Sequence, residues 1–263
     1  MRNILIITGL FALSLATACS RHTEAGTESS VEKEAQPCLT PVEIVLIPDQ
    51  TGSMKDSGTR PVTVDDLEPV FDPIVECGGS IALLFVRNRP DQAVDKFRIE
   101  QPVPLPEPPV QNEGEENYEF SDRQADYDAQ LADRRRAIAD RKVLARSEFD
   151  AFKQRMKPLL DRPPASSTDL NSVLNISDVC LAQDDGWSTV PSKFLLLVSD
   201  GRDTNRRPRY RVQSGAKLFW VNGRSDPKTL AGVESARFVD LDSAVRAVIN
   251  TLQKGGKTNA GPR

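Results

Sequence analysis

Histidine is nearly missing from this 263-residue chain, and the one copy, His22, sits in a Ser-, Thr- and Glu-rich stretch near the N-terminus. A Ser-His-Asp triad in the folded part is therefore excluded, as are the usual His-based zinc sites. Cysteine is scarce as well. Cys19, Cys38, Cys77 and Cys180 form no CxxC pair and show no metal-ligand spacing. The apolar run at the N-terminus, Ile4 to Ala16, is too short for a comfortable membrane span. A basic surplus is also absent. The net charge of -4 and pI near 5.3 argue against a general nucleic-acid binder, while leaving room for local basic patches. What is present, 38% hydrophobic and 27% charged residues, suits one good-sized globular body with solvated additions.

Residues 1–18 read as a targeting segment: Arg2 supplies the positive end, an apolar stretch follows, and small residues lead to a cysteine. Leu15-Ala16-Thr17-Ala18-Cys19 resembles the lipobox of bacterial lipoproteins, although the Leu usual three places before the cysteine is Ala16 here and Leu15 comes one place early. The resemblance implies cleavage before Cys19 and acylation of its sulfur, which would anchor the chain in a membrane by burying many methylenes. An ordinary secretory signal is the alternative. Ser20, where Asp is absent, resembles the outer-membrane sorting default, so a cell-envelope location facing the periplasm is expected if the host has two membranes. Residues 19–37 have no apolar period and read as a flexible tether.

The most informative stretch is Val42 to Met54, VEIVLIPDQTGSM. Its first six residues are almost wholly apolar and largely β-branched, which predicts a buried strand that Pro48 ends. Asp49, Thr51 and Ser53 then place oxygen donors on alternate residues, with Gly52 expected to permit a tight turn. Oxygen ligands at the C-terminal tip of a buried strand suit a hard divalent cation. Phe194 to Val198 is a second apolar strand running into Ser199-Asp200-Gly201, and Ser166 to Asp169 offers hydroxyls before a helical pattern.

Together these residues resemble the von Willebrand factor A domain, whose metal-ion-dependent adhesion motif D-x-S-x-S would be carried here as DQTGS. The resemblance spans roughly Pro41 to Gln253 apart from one insertion. It implies an α/β three-layer sandwich: a mostly parallel central sheet with one antiparallel strand. It further implies that Asp49, Thr51, Ser53, Thr168 and Asp200 hold a divalent ion, Mg²⁺ before Mn²⁺ or Ca²⁺, which captures an acidic side chain of a protein partner. Arg202, Arg206, Arg207, Arg209 and Arg211 crowd the loop after Asp200, where they could clamp an acidic partner or simply balance local acidity.

The domain is expected over 38–253. A stripe at Val64, Leu67, Val70, Phe71, Ile74 and Val75 predicts a helix that Pro69 and Pro73 delay or kink. Ser80 to Val86 and Lys96 to Val103 are expected as a hairpin turning at Asn88 to Asp91. A Pro-rich stretch from Gln101 to Val110 leads to a charged helix from about Ser121 to Leu160, and 104–147 reads as an insertion. That helix is expected to pack its second half on the sheet and project its first half. Thr168 or Ser167 is expected to cap the next helix, with stripe Leu170, Val173, Leu174, Ile176 and Val179. Strands at Ala216 to Val221 and Ala236 to Val239, and a helix from Leu241 to Leu252, complete the domain, leaving 254–263 as a disordered tail. An exported domain permits a disulfide: Cys38–Cys77 is favoured, with Cys38–Cys180 close behind and free thiols the remaining option.

Three functions compete at this level. One is a lipid-anchored, metal-dependent protein-binding module. Another is an assembly lipoprotein that acts through its charged helix, its metal site vestigial. The third, a metal-assisted hydrolase, lacks a histidine base and a second metal cluster, so no enzyme activity is expected.

Overall fold

The computed structural model describes residues 40–87, 95–103, 108–183, 186–202, 204, 210–223, 230 and 233–255. The expected turn at Asn88 to Asp91, the targeting segment, the tether and nearly all of the C-terminal tail lie outside them. Among the described residues there are six strands: β1 Val42–Pro48, β2 Gly79–Leu83, β3 Lys96–Ile99, β4 Ser192–Val198, β5 Lys217–Val221 and β6 Ser235–Phe238. They form one sheet in the order β3-β2-β1-β4-β5-β6, with β3 antiparallel to β2 and every other pairing parallel. Five α-helices accompany them among the same residues: α1 Gly52–Asp56, α2 Glu68–Cys77, α3 Asn117–Leu160, α4 Leu170–Ala182 and α5 Leu241–Gly255.

Alternation along the strands explains the layering. Val42, Ile44 and Leu46 of β1 join a core with Phe71 of α2, Phe149 of α3 and Val245 of α5. Val45 and Ile47 point the other way, to Leu170, Val173 and Leu174 of α4. Both faces are covered, so β1 is buried along its whole length and reads as an unbroken apolar run apart from Glu43. That carboxylate is fully buried, accepts a hydrogen bond from Trp187 Nε1 at 3.0 Å and lies 3.8 Å from Lys193 Nζ. Gly79 begins β2 at φ +146°, where any Cβ would collide with the Val42 carbonyl. This is the three-layer α/β sandwich of a von Willebrand factor A-like fold, its antiparallel strand where the hairpin was expected.

The prolines act as anticipated. A 3-10 turn at Val64–Leu67 precedes α2, which therefore starts late with Pro69 in its first turn and tolerates Pro73 inside. Several local expectations need correction. Strands β2 and β3 are shorter than their apolar runs. Gly52 opens α1 without a positive φ, with open space where its Cβ would lie, so no tight turn requires it. Asp169, rather than Thr168 or Ser167, caps α4 by accepting from Ser172 N at 3.0 Å. Val179 is exposed, because the buried face of α4 runs through Ser177, Asp178 and Leu181 instead. Cys77 is disulfide-bonded while the half-buried Cys180 retains its thiol, which removes the Cys38–Cys180 alternative; Cys38 itself lies outside the described residues.

Helix α3 runs unbroken for 44 residues, about 66 Å at ~1.5 Å each. It contains no glycine, and Pro158 falls in its last turn, where the lost hydrogen bond interrupts little. Its second half buries Ala145, Phe149, Phe152 and Met156 against Phe71 and Phe97, with ring centroids 4.9 and 5.0 Å from Phe149. Ion pairs fix the same segment at its rim: Arg146 and Lys153 to Glu68, Lys142 to Asp72, and Arg155 to Asp95. Before Ala145 no residue of α3 is buried. Two hydrogen bonds reach from that half to residues before the helix, Arg141 Nη1 to the Glu100 carbonyl at 2.9 Å and Arg123 Nη2 to the Val110 carbonyl at 3.1 Å.

Candidate metal centre

Parallel pairing of β1 and β4 brings two carboxylates together. Pro48 stands beside Val198, and Asp49 N donates to the Val198 carbonyl at 2.9 Å, so Asp49 and Asp200 leave adjacent strand tips. Both are buried, at 8% and 3% exposure. Asp49 Oδ1 accepts from Thr51 N at 3.0 Å and Thr51 Oγ1 at 2.6 Å, and its Oδ2 accepts from Ser199 Oγ at 2.7 Å. Ser53 Oγ lies 3.3 Å from Thr51 Oγ1. Burial pushes the Asp49 carboxyl above its ordinary range. Hydrogen bonds from Ser199 and Thr51 pull it back, and the nearby Asp200 charge adds to the rise.

The loop carrying Thr168 is pinned to the same place. Ala165 N donates to the Gln50 carbonyl at 2.7 Å, and Gly52 N to the Ala165 carbonyl at 3.3 Å. Thr168 is buried, and Thr204 clasps its backbone, accepting from Thr168 N at 2.8 Å and donating to its carbonyl at 2.9 Å. Thus Asp49, Thr51, Ser53 and Asp200 converge, with the Thr168 loop hydrogen-bonded to both flanking loops. Arg202 is exposed and reaches Asp200 Oδ2 at 3.6 Å. Arg206, Arg207 and Arg209 lie outside the described residues, as do Cys19 and Cys38.

Four contributors escaped the sequence reading. Ser199 orients Asp49, and its place before Asp200 was the available signal. Thr204 bridges two loops across 36 residues, which no local pattern reveals. Met54 Sδ accepts from Asp200 N at 3.3 Å. Gln50 donates to the Leu159 and Leu160 carbonyls at 2.7 and 3.1 Å and accepts from Arg87 Nη1 at 2.9 Å, joining this loop to the end of α3.

The donor chemistry fits a hard cation: carboxylate and hydroxyl oxygens, with no nitrogen or sulfur ligand among the five. Among the described residues, no three His, Cys, Asp or Glu converge as a metal cluster, so the set depends on its hydroxyls.

No family model matches the chain, and no curated protein matches it. Solved structures do. The pilus adhesin SpaC from Lactobacillus rhamnosus GG, in its open conformation, is 12% identical with a TM-score of 0.42 over 82% of this chain and 30% of its own. Manganese-loaded Plasmodium vivax TRAP protein is 14% identical, TM-score 0.40, over 82% and 74%. A von Willebrand factor type A protein from Catenulispora acidiphila is 12% identical, TM-score 0.41, over 82% and 42%. The chain thus spans under a third of the adhesin's length. The A-like fold rests on the strand order and the single antiparallel edge described above.

Proposed function

We propose that this chain is a lipid-anchored cell-envelope protein whose A-like domain binds a protein partner through a divalent cation, Mg²⁺ because one or two carboxylates with several retained waters are its usual ligands. The observation that carries this is the pair of buried carboxylates at neighbouring strand tips, one with its pKa raised by burial and by the other's charge. A cation between them offsets both penalties. Thr51 and Ser53 offer hydroxyls, Asp49 and Asp200 supply charge directly or through water, and Thr168 adds a hydroxyl from its pinned loop. When bound, the ion supplies a Lewis-acid position open to a carboxylate. Two protein carboxylates leave it little surplus negative charge, so a Glu or Asp from the partner is the ligand expected. Arg202, and Arg206, Arg207 and Arg209 beyond it, favour an acidic partner. The role is binding, without turnover.

Calorimetry of the purified chain with Mg²⁺, Mn²⁺ and Ca²⁺, paired with capture from envelope extracts in Mg²⁺ and in chelator, tests this. Uptake of an ion and a captured protein lost in chelator are expected. No uptake of any ion overturns the proposal. The rival reading, assembly through α3, is favoured by that helix's unburied first half. Deleting 104–141 stops short of Ala145, the first buried position of α3, and separates the two. Metal-dependent capture surviving the deletion supports the cation, and its loss supports the helix.

A further inference from the structure

We propose that Gln50 is a positioning residue of the cation site and that it couples the occupancy of that site to the seating of the last turn of α3, a coupling that rests on the metal-binding reading above. Gln50 stands in the chain between two of the donor residues, Asp49 and Thr51, and is half-buried. Their side chains turn to one another, Thr51 Oγ1 donating to Asp49 Oδ1 at 2.6 Å. That of Gln50 turns to α3. Its Nε2 donates both hydrogens there, to the Leu159 carbonyl at 2.7 Å and the Leu160 carbonyl at 3.1 Å, and its Oε1 accepts from Arg87 Nη1 at 2.9 Å. Its main chain is engaged as well. Gln50 N donates to the Val86 carbonyl at 3.3 Å, and the Gln50 carbonyl accepts from Ala165 N at 2.7 Å, shortly before Thr168. Arg87 Nη2 closes the circuit at the Pro163 carbonyl, 3.3 Å away. One residue therefore ties together the loop of Asp49, the segment after β2, the end of α3 and the approach to Thr168.

The last four carbonyls of a helix have no donor within it, and for Leu159 and Leu160 the donor comes from the metal loop itself. The proposed ligands are two carboxylates and three neutral hydroxyls carried on three loops. Neutral hydroxyls are weak ligands singly, so affinity depends on how well their spacing is fixed before the ion arrives. A loop held at Gln50 is ordered in advance, whereas a loop released there must be ordered by the ion. Linkage then makes the effect reciprocal: the factor by which the tie raises ion affinity is the factor by which the ion strengthens the tie. For two hydrogen bonds of ordinary net strength that factor is about tenfold. A helix cap with no such role would hold α3 equally with and without the ion.

Amide hydrogen exchange of the full chain in detergent tests the coupling, in chelator and in whichever of Mg²⁺, Mn²⁺ and Ca²⁺ calorimetry shows to bind. It is read at the Leu159, Leu160 and Asp161 amides. In the wild type the ion should slow exchange there about tenfold. Gln50→Met keeps the length of the side chain without its hydrogen bonds. It should weaken the ion about tenfold by calorimetry and abolish the ion-dependent protection, although every proposed ligand is intact. The wild-type measurement decides the matter even where the variant fails to fold. Uptake of an ion with exchange at the end of α3 unchanged overturns the coupling and leaves the metal reading standing. A folded Gln50→Met chain that binds the ion as tightly as wild type does the same. No uptake of any of the three ions overturns the metal reading and the coupling with it.

Discussion

Replacing Asp49 with Asn separates what the buried carboxylate costs the empty domain from what it contributes to ion binding. The substituted amide keeps an oxygen for Thr51 N and Oγ1, and Ser199 Oγ, which donates to Oδ2 in the wild type, can accept from the new NH₂ group instead. The packing is therefore retained and only the charge is lost. The folded-state pKa of Asp49 is raised, so the folded protein holds its proton longer than the unfolded chain does. In chelator, the wild type is accordingly most stable below the ordinary Asp range and loses stability as pH rises through the raised value. At neutral pH without metal, the variant should thus melt no lower than wild type, and the gap should close on acidification. With an ion at a hundred times its dissociation constant, the wild type gains ~2.7 kcal/mol. For a domain of this size that is a rise of about 5–10 °C in Tm, and the variant should show almost none of it. Differential scanning calorimetry at pH 5 and 7.5, in chelator and in Mg²⁺, reads all four states. A wild type indifferent to Mg²⁺, Mn²⁺ and Ca²⁺, or a variant that melts well below it in chelator at neutral pH, refutes the reasoning.

Phe149→Ala should cost about 3–5 kcal/mol in urea unfolding, because a fully buried ring between Phe71 and Phe97 leaves a cavity the cluster cannot close. A cost under about 1 kcal/mol would mean that α3 is not part of this core. The hydrogen bond from Arg155 holds the Asp95 carboxyl below its ordinary range against a smaller rise from burial. Its stabilising share is present above that range and lost as pH falls through the lowered value, so Arg155→Ala should return the Asp95 NMR titration upward and remove that acid-side loss. Non-reducing peptide mapping should find Cys77 linked, with Cys38 as its mate, and Cys180 modified by iodoacetamide once the chain is unfolded; a Cys180 linkage would contradict this arrangement.

Much of the sheet was legible because buried parallel strands need nearly continuous apolar runs, and VEIVLI, broken only by Glu43, IALL and FLLLV are such runs. The late start of α2 followed from Pro69, whose missing N–H is harmless only in a first turn. Asp49, Thr51 and Ser53 were legible because their spacing is local, and Asp200 because the strand before it is unmistakable. What escaped was long-range. Thr204 and Gln50 act across the fold, through partners far away in sequence, and no period marks them. The face of α4 was misread at Val179, since Ser177 is buried by donating to the Val173 carbonyl and Asp178 by accepting from Gln213 N and Ser214 N. Hydropathy alone cannot distinguish such satisfied polar positions from solvent-facing ones. The cap of α4 was misassigned for a related reason: Thr168 and Asp169 are equally suited by type, and backbone geometry chose between them.

The amide of Gln50 has a mechanical corollary. It grips the last two carbonyls of a rod some 66 Å long, one residue from Asp49 and one from Thr51. Tension or tilt applied at the far tip of that rod is delivered, through a rigid lever with a short inner arm, to the rim on which the two acids sit.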